Sequence, residues 1–189
     1  TDWDLKSLLK KEEVVEVEKE KCLIKEENYK FINKWKDRKD YLESEAVLKE
    51  ALDEYEKLNR NYGISGNSGF YFYLKSYLDQ NNPKIKASNN DLQDFSVKIG
   101  NDLQFFEHNI AKISKENQNK FLSHSGLAEY RHFLEKLFLQ AKYLLSDAEE
   151  KILNLKHQTS HANWVKMLSG FLSKEERVIL SENGKKEKR

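Results

Sequence analysis

The stretch NPKIKASNNDLQDFSVKIGNDLQFFEHNIAKIS, residues 82–114, decides how the rest of the chain is read. Asn82 is a helix-capping residue type, and Pro83 suits the first helical position because its missing N–H would be unpaired there anyway. Behind them Ile85, Leu92, Phe95, Ile99, Leu103, Phe106, Ile110 and Ile113 recur on one face of a 3.6-residue period. The spacing predicts one long amphipathic helix. Gly100 interrupts it at a cost of about 1 kcal/mol relative to alanine, a cost that close approach of a neighbouring helix would explain.

The same grammar extends both ways. From Lys10 to Lys36 there is neither glycine nor proline, and Val14, Val17, Ile24, Phe31 and Trp35 form a stripe with Lys21 and Asn28 as its polar gaps. A second stripe runs through Leu48, Ala51, Leu52, Tyr55, Leu58 and Tyr62 and stops at GISGNSG, residues 63–69. FYFYLKSYL, residues 70–78, reads as a short aromatic helix. Past residue 114, Leu127, Tyr130, Leu134, Leu137, Phe138, Ala141 and Leu144 predict one further helix, and SDAE, residues 146–149, is a capping box opening the next. Trp164, Met167, Leu168, Phe171 and Leu172 mark a last short amphipathic segment. Asn183-Gly184 then signals a two-residue hairpin turn. The prediction is an all-α fold, an antiparallel bundle of long amphipathic helices, with a candidate truncated C-terminal β-hairpin.

Composition agrees. In 189 residues there are only 7 glycines and 1 proline, too few turns for a sandwich or barrel. Lys and Arg total 33 against 32 Asp and Glu, and arginine stands only at 38, 60, 131, 177 and 189. A balanced charge carried mostly by lysine argues against nucleic-acid binding, where the guanidinium fork is favoured. Cys22 stands alone, so neither an internal disulfide nor a thiolate cluster can form. No long apolar run predicts a membrane partner, and a cytoplasmic location is expected.

HQTSH, residues 157–161, imitates the zinc-peptidase pattern H-E-x-x-H, yet Gln158 cannot serve as a general base. Thr159 and Ser160 favour helix ends, which predicts that His157 and His161 lie on different helices. His108, His124 and His132 have no partner at ligand or triad spacing. Glu149 and Glu150 fit a first helical turn rather than a catalytic pair. Phe105 and Phe106 read as core. GISGNSG lacks the lysine of a phosphate loop. No catalytic or metal-ligating residue emerges.

Several segments in series carry a resemblance. WDLKSLL (residues 3–9), YFYLKSYLDQNNPKIKA (71–87), NDLQFFEHNIAKIS (101–114), LSDAEEKIL (145–153), the Trp164–Leu168–Leu172 spacing and the ENGK turn resemble, in order, the N-terminal helical lobe of oligoendopeptidase F-like zinc metallopeptidases of the thimet oligopeptidase group. The resemblance implies that residues 1–172 are a helical N-terminal lobe. Residues 173–189 would then be the start of a hairpin or connector toward an absent catalytic domain. By the same token the chain itself has no cofactor and no catalytic residue, while zinc and its H-E-x-x-H ligands belong to the absent domain of a metalloendopeptidase acting on oligopeptides. The expected partners are the rest of the parent chain and short peptides. Tyr71, Tyr73 and Tyr77 crowd one short helix that cannot bury every face; the resemblance makes them candidates for a substrate-channel wall, with ordinary core and rim packing as the alternative. A self-standing helical interaction module remains the rival function.

Overall fold

The computed structural model describes residues 3–9, 14–63, 65–176, 178–180 and 186–188. It is dominated by helices: α1 (Val14–Trp35), α2 (Glu45–Asn61), α3 (Gly66–Leu78), α4 (Pro83–Ala111), α5 (Lys115–Ser123), α6 (Arg131–Gln140), α7 (Asp147–His157) and α8 (Asn163–Leu172). Val178–Leu180 (β1) pairs antiparallel with Lys186–Lys188 (β2), Val178 opposite Lys188. The Asn183-Gly184 turn lies outside the described residues.

Helix α4 is the spine, packing against α1, α3, α6 and α7. Its start is built as the residues require: Asn82 Oδ1 accepts from Lys84 N (3.0 Å) and Ile85 N (3.3 Å), and Pro83 occupies the first turn. Its stripe supplies two cores. Ile99, Leu103, Phe106 and Ile110 join Phe31, Trp35, Tyr41, Leu48, Leu52, Phe121, Leu127 and Leu134 in the main one. Phe106 is fully buried, its ring edge-on to Phe31 at 5.1 Å and beside Tyr41 at 5.5 Å. Side chains of this kind each contribute roughly 1.5–3 kcal/mol on burial. Trp35 also satisfies its only donor, giving Nε1–H to Glu54 Oε2 at 2.8 Å. Ile85 and Leu92 make the smaller core with Tyr71 and Phe72 of α3, covered by Leu5, Leu8, Leu9 and Val17.

The junction of α1 and α3 is unusually specific. Glu20 of α1 accepts from Asn67 N (2.8 Å) and Ser68 N (2.9 Å), capping α3 from another helix. Gly66 opens α3 at φ +61°, and a Cβ there would lie 2.7 Å from both Glu20 Oε1 and Ile24 Cδ1. Only glycine fits both the backbone and the space.

Several expectations are corrected. Gly100 admits no close neighbour, since a Cβ would meet nothing within 4 Å. The helix expected across Leu127–Leu144 is α6 flanked by 3-10 turns at Ser125–Tyr130 and Ala141–Tyr143. Helix α5 was not anticipated. His157 and His161 do not part company: α7 continues into α8 through a π-helical turn at Gln158–Ala162, with the two rings 5.2 Å apart. The hydroxyls of Thr159 and Ser160 both donate back to Lys156 O, at 3.2 and 2.6 Å, satisfying themselves within the widened turn instead of ending the helix.

Candidate functional site

Helix α8 meets the α3–α4 pair through polar bonds, with Val165 and Met167 beside them on the cleft lining. Lys166 Nζ donates to Asn90 Oδ1 (2.7 Å) and Gln93 Oε1 (2.6 Å), and Asn81 Nδ2 donates to Ser173 Oγ (3.3 Å) beyond the helix end. Further along, Asn154 of α7 donates to Asn101 of α4 at 2.8 Å. Because these contacts are polar and spaced, the three helices do not close on one another. They leave a cleft of about 460 Å³ walled by Tyr73 and Tyr77 of α3, Lys86, Asn89, Asn90 and Gln93 of α4, and Asn163, Lys166 and Gly170 of α8. Its size falls in the range of roughly 300–1,000 Å³ usual for small-ligand sites. A second recess of about 240 Å³ between α3 and α4 has Tyr73, Asn89 and Gln93 among its walls as well.

The cleft lining carries two lysines, Lys86 and Lys166, with Asp94 close enough to act on Lys166. None of its wall residues is acidic. Desolvation pushes the Lys166 ammonium below the ordinary lysine value, with the Asp94 carboxylate pulling the other way. Its two hydrogen-bond acceptors are neutral amide oxygens. Lys86 reaches in from α4, its Nζ 3.7 Å from where a Cβ on Gly170 would stand. On the opposite wall, Tyr77 donates its hydroxyl to that of Tyr73 at 3.1 Å, with the rings edge-on at 5.1 Å. That bond, reinforced by partial burial, raises the Tyr77 hydroxyl above the ordinary phenol value.

The three tyrosines singled out from the sequence therefore separate. Tyr73 and Tyr77 are exposed and stand on the cleft wall. Tyr71 is not on that wall: it is 8% exposed, packed edge-on to Phe72, with its hydroxyl accepting from Lys75 Nζ at 3.0 Å. One helical face carries Phe70, Tyr73 and Tyr77 outward, and Tyr71 falls on the inward side. Sequence reasoning missed Lys166, Asn89, Asn90 and Gln93. The available signal was a cluster of amide side chains on one face of a helix otherwise built from an apolar stripe.

Among the histidines, His108 is buried at 6% exposed and is far from partnerless. Gln104 Nε2 donates to its Nε2 (3.0 Å), which leaves Nδ1–H to donate to Asp147 Oδ1 (3.0 Å) at the first residue of α7. That bond, with Lys112 nearby, holds the Asp147 carboxyl below the usual carboxylate range. The predicted capping box follows at once: Ser146 N–H donates to Glu149 Oε2 (2.9 Å) and Glu149 N–H to Ser146 Oγ (3.4 Å). His124 Nδ1 accepts from Gly126 N at 3.2 Å. His132, His157 and His161 are exposed, and among the described residues no three or more His, Cys, Asp or Glu side chains gather as a metal site would require.

Comparison with known proteins places this helical region. Residues 109–169, from the end of α4 into α8, match the family described as oligopeptidase F. A segment of 84 residues is 34% identical both to the plasmid oligoendopeptidase F of Lactococcus lactis subsp. cremoris and to the oligoendopeptidase F homolog of Lactococcus lactis subsp. lactis (strain IL1403). The match takes in 44% of this chain and 14% of each relative, so the chain corresponds to a minor part of their length. No solved structure matches. The chain carries an N-terminal, oligoendopeptidase F-like region. Among the described residues no helix is long and apolar enough to cross a membrane.

Proposed function

We propose that this chain is the non-catalytic helical lobe of a cytoplasmic oligopeptidase, an antiparallel bundle over residues 1–172 followed by a connector toward a catalytic domain. The observation that carries this reading is the oligopeptidase F match across residues 109–169. The chain contains no H-E-x-x-H, so no step of zinc chemistry is assigned to its residues. Zinc would be held by the catalytic domain, where it would polarise the scissile carbonyl. The lobe contributes by shape: Tyr73 and Tyr77 wall the path along α3, admitting extended short peptides and excluding folded chains. An aromatic rim suits this role, because rings stack on diverse side chains while hydroxyls meet backbone carbonyls.

The lobe's natural partner is the rest of its own chain. Trp164 (61% exposed), Phe171 (65%) and Leu172 (64%) form an apolar strip on α8, and Ile152 and Leu155 of α7 are exposed as well. Contiguous apolar surface of this kind marks an interaction site. It also supports the second reading, an interaction module that receives a partner helix on this strip. The test begins with the coding sequence past the Arg189 codon. A frame continuing to H-E-x-x-H and a downstream glutamate supports the lobe; an immediate stop moves the interaction module to first place. In the protein so encoded, Tyr73→Ala and Tyr77→Ala are expected to alter kcat/KM unequally across peptides of different length. Unchanged profiles for both would end the channel-wall role.

A further inference from the structure

We propose that the cleft between α3, α4 and α8 binds the C-terminal end of a short peptide, with Lys166 as the anchor for its free carboxylate and Lys86 as a second cation. The choice of a peptide as ligand rests on the oligopeptidase-lobe reading; the choice of its carboxylate end rests on the cleft.

Lys166 carries a partly buried charge whose hydrogen-bond partners are neutral, with the Asp94 carboxylate attracting it coulombically. Lys166 is half-buried and its ammonium faces two neutral amide oxygens, Asn90 Oδ1 and Gln93 Oε1. An ammonium has three donors, and these bonds occupy two of them. Burial already costs the charged form, as the direction of its shift records. An arriving carboxylate takes the remaining donor and supplies opposite charge in a partly desolvated site, where a charge-assisted bond is about twice as strong as a neutral one. The Lys86 ammonium, whose Nζ lies near Gly170 of α8, is a second cation on the cleft lining.

The remaining walls favour a peptide over a bare anion. Asn89, Asn90, Gln93 and Asn163 offer both amide donors and amide acceptors, matching the N–H and C=O of a backbone. Tyr73 and Tyr77 supply ring faces at the other side, where a side chain would lie. The cations are lysines, point charges that suit a single carboxylate; a phosphate site would more commonly present the arginine fork.

The test uses the 189-residue chain itself. Trialanine with a free C-terminus, trialanine amide and inorganic phosphate are titrated into nitrogen-labelled protein, following the backbone amide signals of Asn163, Ser169 and Gly170. The expected result is saturable movement of these signals by the free acid, with the amide weaker by about tenfold or more, the loss of one hydrogen bond to a charged group. Lys166→Gln removes the difference between acid and amide, with an unchanged circular dichroism spectrum. The comparison of acid with amide on the unaltered chain needs no variant to fold. Equal binding of acid and amide, movement by phosphate with which trialanine does not compete, or no movement at all overturns the proposal. Failure here leaves the lobe reading intact, since that answers to the downstream coding frame. Binding without such a frame would keep the anchor and sink the lobe.

Discussion

Two glycines in this chain respond oppositely to the same substitution. At Gly66 alanine must adopt φ +61°, which costs an L-residue about 1–2 kcal/mol. Its Cβ would also sit 2.7 Å from Glu20 Oε1 and from Ile24 Cδ1. Glu20 can swing away, but it then abandons the N–H groups of Asn67 and Ser68, a lost cap worth ~1 kcal/mol. Ile24, 1% exposed, has nowhere to go without disturbing the packing around it. Gly66→Ala is therefore expected to destabilise the fold by about 2–4 kcal/mol. At Gly100, in the middle of α4, a Cβ meets nothing within 4 Å and the backbone is ordinary helix, so Gly100→Ala is expected to stabilise by roughly 0.5–1 kcal/mol. Urea denaturation followed by far-UV circular dichroism measures both. Ile24→Val removes the contacting Cδ1, so the double variant with Gly66→Ala should recover part of the loss; strict additivity would show that the contact contributes nothing. A neutral Gly66→Ala would refute the α1–α3 junction described above, and a destabilising Gly100→Ala would mean that α4 is covered at a point where it stands open.

Three further outcomes are expected. His108→Ala should cost about 2–3 kcal/mol, because it leaves Gln104 and Asp147 without their buried partner, and hydrogen exchange should accelerate across residues 147–157; unchanged protection there would show that the bond does not hold α7. The folded-state value of Asp147 is depressed, so its contribution is present above the ordinary carboxylate value of 3.8 and is lost as pH falls through the lowered one; Asp147→Asn should flatten that acid limb of α7 protection, and an identical limb would remove Asp147 as its source. Phe171→Lys, on a side chain 65% exposed, should leave stability within about 0.5 kcal/mol and reduce any self-association seen by sedimentation, whereas a large loss of stability would mean that this face is internal.

The spine was legible because α4 carries its main local signals in agreement: the Asn82 cap, Pro83 behind it, and an apolar face that recurs from Ile85 to Ile110. Helix α5 escaped because Lys115–Ser123 offers only Phe121 and Leu122 to a periodicity reading; its cap, Ser114 Oγ accepting from Asn117 N at 3.2 Å, was the one clue. The 3-10 turns flanking α6 were merged with it because 3.0 and 3.6 residues per turn are hard to separate over a single turn. Local pattern could not reveal His108 as a buried tie, since its partner lies 39 positions away. The cleft is harder still to read. Lys166 meets Asn90 and Gln93 across 76 and 73 residues, and its setting is created by docking rather than by any motif.

The orientation of α8 links that cleft to the rest of the functional argument. A surface helix ordinarily turns its apolar stripe inward and its polar side to solvent. Here Asn163, Lys166 and Gly170 line the cleft together with Val165 and Met167, while the larger side chains Trp164, Phe171 and Leu172 stand outward. Burial of its largest apolar side chains would turn α8 the other way; the pose observed combines Val165 and Met167 at the cleft with polar bonds that contribute only about 1 kcal/mol each. Two demands would make this pose useful together: a ligand that needs the polar side in the cleft, and a protein surface that covers the apolar side. A peptide carboxylate at Lys166 would meet the first, and a protein surface packed on Trp164 and Phe171 the second. Covering the outer face would then stiffen the wall that holds Lys166, coupling that packing to the affinity of the cleft.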